Sequence, residues 1–267
     1  MVLGIDVGGS TTKLVGLAPG MGMGMLQVEA GDQATSAYGA FGKFLAREKL
    51  SLGDIERIVL TGVGAPYIDG DMYGIPTKRA DEFMAIGLGG LRLAGLGEAL
   101  IVSVGTGTAM VRAGAGGIRH IGGSGIGGGM LLKLAGRFAG VHSLAGVTEL
   151  ARQGDLGAID LQLKHISKVR IGNLPEEATV SNFGNMKHGA GPPDIVLGLL
   201  NLIFESIGMM AIFAAQNTPV KDVVVVGAMA LSAHAPAVFG TLSKMHPVRF
   251  HIPKDAMFAT ALGAALS

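Results

Sequence analysis

The chain contains no cysteine and no tryptophan. The missing cysteine excludes disulfides, iron–sulfur clusters, thiolate zinc sites and a thiol nucleophile. Charged residues make up only 15% of the 267 positions and the net charge is +1, with no run of lysine or arginine. That leaves no concentrated basic face, so a nucleic-acid partner is not expected. The seven histidines form no His-Glu-x-x-His or other close ligand pair, and a histidine metal centre is not expected either. No Gly-x-x-x-x-Gly-Lys-Ser/Thr occurs, which rules out a P-loop. No charged-then-apolar leader is visible, because residues 1–4 run straight into a strand-like segment. A cytoplasmic location is the expectation.

What the chain has is hydrophobic residues, at 49%, enough to bury a sizeable core. It also has 45 glycines, clustered at Gly8-Gly9, Gly105 to Gly107 and Gly122 to Gly129. Such clusters between apolar segments mark tight bends or close backbone approach to a ligand. Residues 195–215 are almost wholly apolar, broken by Asn201, Glu205 and Ser206. The stretch is long enough to span a bilayer. A glutamate near its middle would be costly there, and no aromatic belt or basic flank accompanies it. A buried core or subunit-interface helix is expected, with no membrane partner.

Periodicity predicts strands at 2–6, 11–17 and 26–30, a helix at 34–49 and a strand at 55–60. A helix follows at 80–94, weakened by Gly87, Gly89 and Gly90. A second round has strands at 99–104, 109–113 and 118–123 and helices at 130–138 and 144–153. The apolar helix, a strand at 223–226 and a helix at 256–266 complete the chain. Strand, glycine bend and strand thus occur twice. The expected fold class is α/β with two lobes, 1–96 and 97–267, and a cleft between them.

Three segments carry candidate chemistry. In Asp6-Val7-Gly8-Gly9-Ser10-Thr11-Thr12-Lys13 a strand delivers a carboxylate to a bend. Its glycines let backbone N–H groups face phosphate oxygens. Ser10, Thr11 and Thr12 add hydroxyls, Lys13 adds a cation, and Asp6 suits Mg²⁺, which favours carboxylates and keeps its waters. Ser103 to Thr108 repeats the theme, with Gly105, Thr106, Gly107 and Thr108 between two strands. The third segment runs from Gly122 to Gly129 and opens a helix, where Gly127, Gly128 and Gly129 offer amides and a helix dipole to an anion. It is not a dinucleotide fingerprint, which belongs after the first strand. Val225-Val226-Gly227-Ala228 is a later glycine turn. Asp81-Glu82 is a pair of acids at a helix start, a place the helix dipole alone favours. Other polar residues read as caps or turns, among them Asp155, Asp160 and His165.

Taken in order, these segments resemble the sugar kinase/Hsp70/actin-like ATPase superfamily, and within it type II pantothenate kinase. The resembling stretches are Gly4 to Lys13, Val104 to Thr108, Ile121 to Met130, Gly154 to Ile166, Ser181 to Gly184, and Gly227. They cover nearly the whole chain. The resemblance implies an actin-like ATPase (ribonuclease H-like) fold with an ATP cleft between the lobes. It implies ATP and Mg²⁺ as cofactors, Asp6 as magnesium ligand, the two bends as phosphate holders and Gly227-Ala228 beside the adenosine. Glu82 matches the family's catalytic base. Thr106, Gly122 and either Arg119 or His120 match acceptor-binding positions. The family's arginine immediately before Val-Gly-Gly is replaced here by His120, which puts the acceptor in question. The implied reaction is phosphorylation of pantothenate by a homodimer built on the long apolar helix. Two alternatives stand beside it: a kinase for a related pantoyl compound or small sugar, and a nucleotide-binding regulatory protein without turnover. The related dehydratase activators need cluster cysteines, which this chain does not have.

Overall fold

The computed structural model describes residues 1–267 except 21, 170, 173 and 217. Strands β1 (Val2–Val7), β2 (Thr11–Leu17) and β3 (Gly24–Glu29) form an antiparallel meander. Helix α1 (Gln33–Glu48) starts where Asp32 accepts a hydrogen bond from the Thr35 amide, a standard N-cap. It lays Ala37, Ala40, Phe41 and Phe44 into the core. Strands β4 (Arg57–Thr61) and β5 (Thr77–Arg79) then add in parallel beyond β1, giving the sheet order β3-β2-β1-β4-β5.

Helix α2 (Glu82–Ala94) leads into a second round: β6 (Ala99–Val104), β7 (Thr108–Gly114) and β8 (Gly117–Ser124). Helices α3 (Gly128–Ala139) and α4 (Leu144–Ala151) follow. A small two-stranded ladder comes next, from β9 (Leu161–Gln162) and β10 (Thr179–Ser181), with the one-turn helix α5 (Leu163–Ile166) between them in sequence. The chain ends with α6 (Pro192–Gln216), β11 (Asp222–Val226), α7 (Ala235–Met245), β12 (Arg249–His251) and α8 (Ala259–Leu266). The second sheet has the order β12-β11-β6-β7-β8, and its parallel and antiparallel pairings repeat those of the first, strand for strand. The two similar bends in the sequence are therefore equivalent corners of two copies of one topology.

Two helices tie the sheets together. Helix α8 packs on β1, β2 and β4, although it follows the second sheet in sequence. Helix α2 lies against α8 and also against β6 and β7. The crossing is close because it is made by glycines. A Cβ on Gly263 would overlap the Ala85 carbonyl, and one on Gly89 would overlap the Ala259 carbonyl. Gly87 and Gly90 make room for Ile118 and Ile101. The glycines that weakened the helix pattern at 80–94 are thus packing residues.

By length and composition α6 is apolar enough to cross a membrane, yet 61% of its most apolar window is buried inside the fold. Val196, Leu199, Ile203, Phe204 and Ile207 lie in the larger core. Two of its polar interruptions are partnered: Asn201 donates to Asp160 at 2.9 Å, and Glu205 accepts from Asn182 at 2.9 Å. Asp155 caps a short 3₁₀ turn by accepting from the Gly157 amide, and His165 Nδ1 accepts from the Gln162 amide. Helix α7 has no counterpart in the sequence reading. Pro236 sits in its first turn, where a proline is tolerated but reads as a breaker.

Candidate active site

Both bends open onto one cavity of about 520 Å³ between the two sheets. Asp6, Gly8, Gly9, Ser10, Thr11 and Lys13 line it from the first bend. Ser103 and Gly105 to Thr108 line it from the second. Glu82 and Ile86 of α2, Gly128 and Gly129 of α3, and Gly227 and Ala228 after β11 complete most of the wall. Asp6 and Thr106 thus share a cleft, the arrangement on which any phosphate-clamp reading depends.

Each bend is closed by a backbone hydrogen bond. The Gly8 amide donates to the Thr11 carbonyl at 3.1 Å, and the Gly105 amide donates to the Gly107 carbonyl at 2.9 Å. Behind each sits a glycine in left-handed conformation, after β4 and after β11. Gly62 has φ +88°, and a Cβ there would stand 2.6 Å from Asp6 Oδ1. Gly227 has φ +93°, and a Cβ there would stand 2.5 Å from the Val104 carbonyl oxygen. Both positions therefore require glycine.

Asp6 and Lys13 are cross-strand partners, and Lys13 Nζ lies 3.8 Å from Asp6 Oδ2 and donates to Thr11 Oγ1 at 2.6 Å. Burial raises the Asp6 carboxyl above its ordinary range, and the Lys13 charge opposes that rise. Strand alternation puts Thr11 and Lys13 on the cleft side. Thr12 points the other way, is fully buried and does not line the cavity.

Helix α2 aims Glu82. Asp81 is its N-cap and accepts from the Met84 amide at 2.8 Å, so Asp81 serves as a cap. Glu82, the next residue, lines the cavity. Its carboxyl is held above the ordinary glutamate range, first by burial and then by the negative charges of Asp6 and Asp81. Among the described residues no group of three or more His, Asp or Glu could hold a metal ion. The carboxylates on the cavity wall are Asp6 and Glu82. This sparse oxygen set fits an ion that keeps most of its water, as Mg²⁺ does, and not a dehydrated one.

The glycine segment before α3 is not an open anion site. The Gly128 amide donates to Gly105 O at 2.8 Å and the Gly129 amide to Thr106 O at 2.9 Å. The helix start is stitched to the second bend instead, and Thr108 Oγ1 donates to the Ile126 carbonyl at 2.7 Å. Gly127 lies beneath the cavity wall, where a Cβ would stand 2.8 Å from Thr106 O. Gly128 and Gly129 still line the cavity.

Arg119, His120 and Gly122 lie on β8 and do not line the cavity. A bulge between Met110 and Val111 of the facing strand leaves Ile121 unpaired, with Gly122 opposite Met110 and His120 opposite Val111. His120 stacks on Phe83, ring centroids 3.9 Å apart and planes 14° apart. Ile118 meets α2 at Gly87, so 118 and 120 share the α2-facing side. Arg119 is on the other side, opposite Arg112. Met229, Met257 and Thr260 line the cavity with no motif to mark them. The one sequence signal for Thr260 is that it is the hydroxyl within the otherwise apolar run 259–266.

Comparison with known proteins adds a family. The Fumble family model matches residues 98–258. A type II pantothenate kinase of Staphylococcus aureus (strain USA300) is 30% identical over 189 residues, covering 67% of this chain and 70% of that protein. The type II pantothenate kinase of Staphylococcus haemolyticus (strain JCSC1435) is 34% identical over 134 residues, 49% of this chain and half the length of that relative. Among solved structures, the activator of the 2-hydroxyisocaproyl-CoA dehydratase from Clostridium difficile with bound ADPNP matches with a TM-score of 0.68 at 18% identity, covering 99% of this chain and 92% of that one. A ROK family glucokinase from Streptomyces griseus in complex with glucose and AMPPNP matches with a TM-score of 0.65 at 14% identity, covering 99% and 97%. At these identities the likeness establishes the fold, that of the actin-like ATPases. By the family model and the 30% identical relative together, the chain belongs to the Fumble family, that of the type II pantothenate kinases.

Proposed function

We propose that the protein transfers the γ-phosphoryl group of ATP to the primary hydroxyl of pantothenate, giving 4′-phosphopantothenate, the first step of coenzyme A synthesis. The observation that carries this reading is the single cavity joining both glycine bends, Asp6 and Glu82. The bends and Lys13 hold the β- and γ-phosphates, and Gly227-Ala228 supports the adenosine. Glu82 accepts the proton of the acceptor hydroxyl as it attacks phosphorus. Asp6 would hold Mg²⁺, directly or through water, and the bound ion would offset the phosphate charge. Thr106, which lines the same cavity as Glu82, orients the acceptor, and Gly122 and Arg119 stand outside that wall. Closure of the lobes excludes water and limits wasteful ATP hydrolysis. The same reading includes a cytoplasmic enzyme and a homodimer built on α6, whose Phe213 remains exposed.

The test is incubation of the purified protein with ATP, Mg²⁺ and, separately, pantothenate, pantetheine, glucose and N-acetylglucosamine, with products read by mass spectrometry. Phosphopantothenate as the main product supports the reading; phosphorylation of a sugar alone, or of nothing, overturns it. A pH dependence follows from the Glu82 environment. Only the ionised carboxylate accepts a proton, and its pKa is raised from the ordinary 4.5. The rate therefore falls as pH drops, and the acid limb of kcat/KM for the acceptor stands above 4.5. A limb at or below that value, measured from pH 4 to 8 in steps of about half a unit, contradicts the assignment of Glu82 as base.

A further inference from the structure

We propose that His120 is a positioning residue for Glu82, acting through its stack on the Phe83 ring. The inference rests on the kinase reading above. Glu82 is the first residue of α2 and has no intrahelical amide bond to fix it. Asp81 fixes the backbone of that turn through the Met84 amide, but it places no lateral constraint on the helix end. That constraint comes from β8, the edge strand of the second sheet. Ile118 seats in the space left by Gly87, and two residues further on the His120 imidazole lies flat on Phe83. The bulge at Ile121 then turns the strand so that Ser124, at its end, borders the cavity. One strand therefore touches both the cavity wall, at Ser124, and the residue next to Glu82. One face of the imidazole lies on Phe83 while the residue is otherwise exposed, so the ring bridges strand and helix at their solvent edge, and it does not line the cavity.

A misplacement of about 1 Å at a reacting group costs on the order of 10²-fold in rate, so the stack has a measurable effect on turnover. The test compares His120→Ala, which removes the ring, with His120→Phe, which keeps a flat ring and removes the ionisable nitrogens. The expected result for His120→Ala is a fall in kcat of about tenfold or more, with the KM for ATP within about twofold of the parent. His120→Phe is expected to restore most of that loss. Amide exchange at Met84 and Ala85, read by mass spectrometry on the full-length protein, should speed up in His120→Ala and return to the parent rate in His120→Phe. Parent-like turnover and exchange in His120→Ala overturn the proposal, as does a His120→Phe variant no better than His120→Ala. If the parent phosphorylates no acceptor, the kinase reading fails, and the exchange comparison still decides the positioning role.

Discussion

Glu82→Gln is expected to lower kcat by about 10²–10⁴-fold, the usual contribution of a positioned general base. The amide is nearly isosteric and cannot accept the proton of the acceptor hydroxyl. It also leaves the two bends and Lys13 untouched, so ATP binding should persist. Removing the negative charge relieves the repulsion that Asp6 and Asp81 exert at this position. Folding stability should therefore hold or rise, which separates a catalytic loss from a folding loss. The measurements are steady-state phosphorylation and nucleotide affinity of the same preparation. A variant with nearly the parent rate rules out Glu82 as base. A variant that loses ATP affinity in step with rate assigns the residue to nucleotide binding instead.

The largest expected effect on stability comes from a single methyl group. Gly263→Ala places a Cβ on the Ala85 carbonyl, and Gly89→Ala places one on the Ala259 carbonyl. In both cases the obstacle is backbone of the opposing helix, which cannot swing aside as a side chain does. Each variant should lose about 3 kcal/mol or more, at the upper end of overpacking costs. For a chain of this size that is a drop in Tm on the order of 10 °C. The matched control is Gly42→Ala on the exposed side of α1, where a Cβ would meet nothing within 4 Å. There the alanine gains helix propensity of up to about 1 kcal/mol and should stabilise. If thermal melts show Gly263→Ala and Gly42→Ala shifting Tm in the same direction, the close α2–α8 crossing is not as described.

The first and second bends were readable because each is local: a few consecutive residues carry both the geometry and the chemistry, whereas Asp81-Glu82 read locally as an ordinary acidic helix start and Glu82 stood out only through the family resemblance. The repeat of the whole topology was only half visible, since β5 and β12 are three residues long and have no pattern to detect. Periodicity also misjudged what the glycines of α2 do. A helix propensity scale sees the cost of Gly89 and cannot see the Ala259 carbonyl, which is remote in sequence. The same limit applies at Gly128 and Gly129, where the amides looked free and are bonded to the second bend. His120 was placed by alignment with a cation, yet its environment is set by Phe83, a residue of another element. Local motifs marked the candidate groups, while long-range packing decided which of them face the cleft.

The position of α8 has a consequence for synthesis on the ribosome. The face of the first sheet that holds Val15 and Val59 is closed by Ala261, Leu262 and Ala264 of α8, which is made only after the whole second sheet. The N-terminal sheet emerges early yet lacks this cover until α8 has been synthesised. A stop anywhere before α8 leaves it with an open apolar side, so such a truncated product is a substrate for proteases and chaperones, not a working half-enzyme.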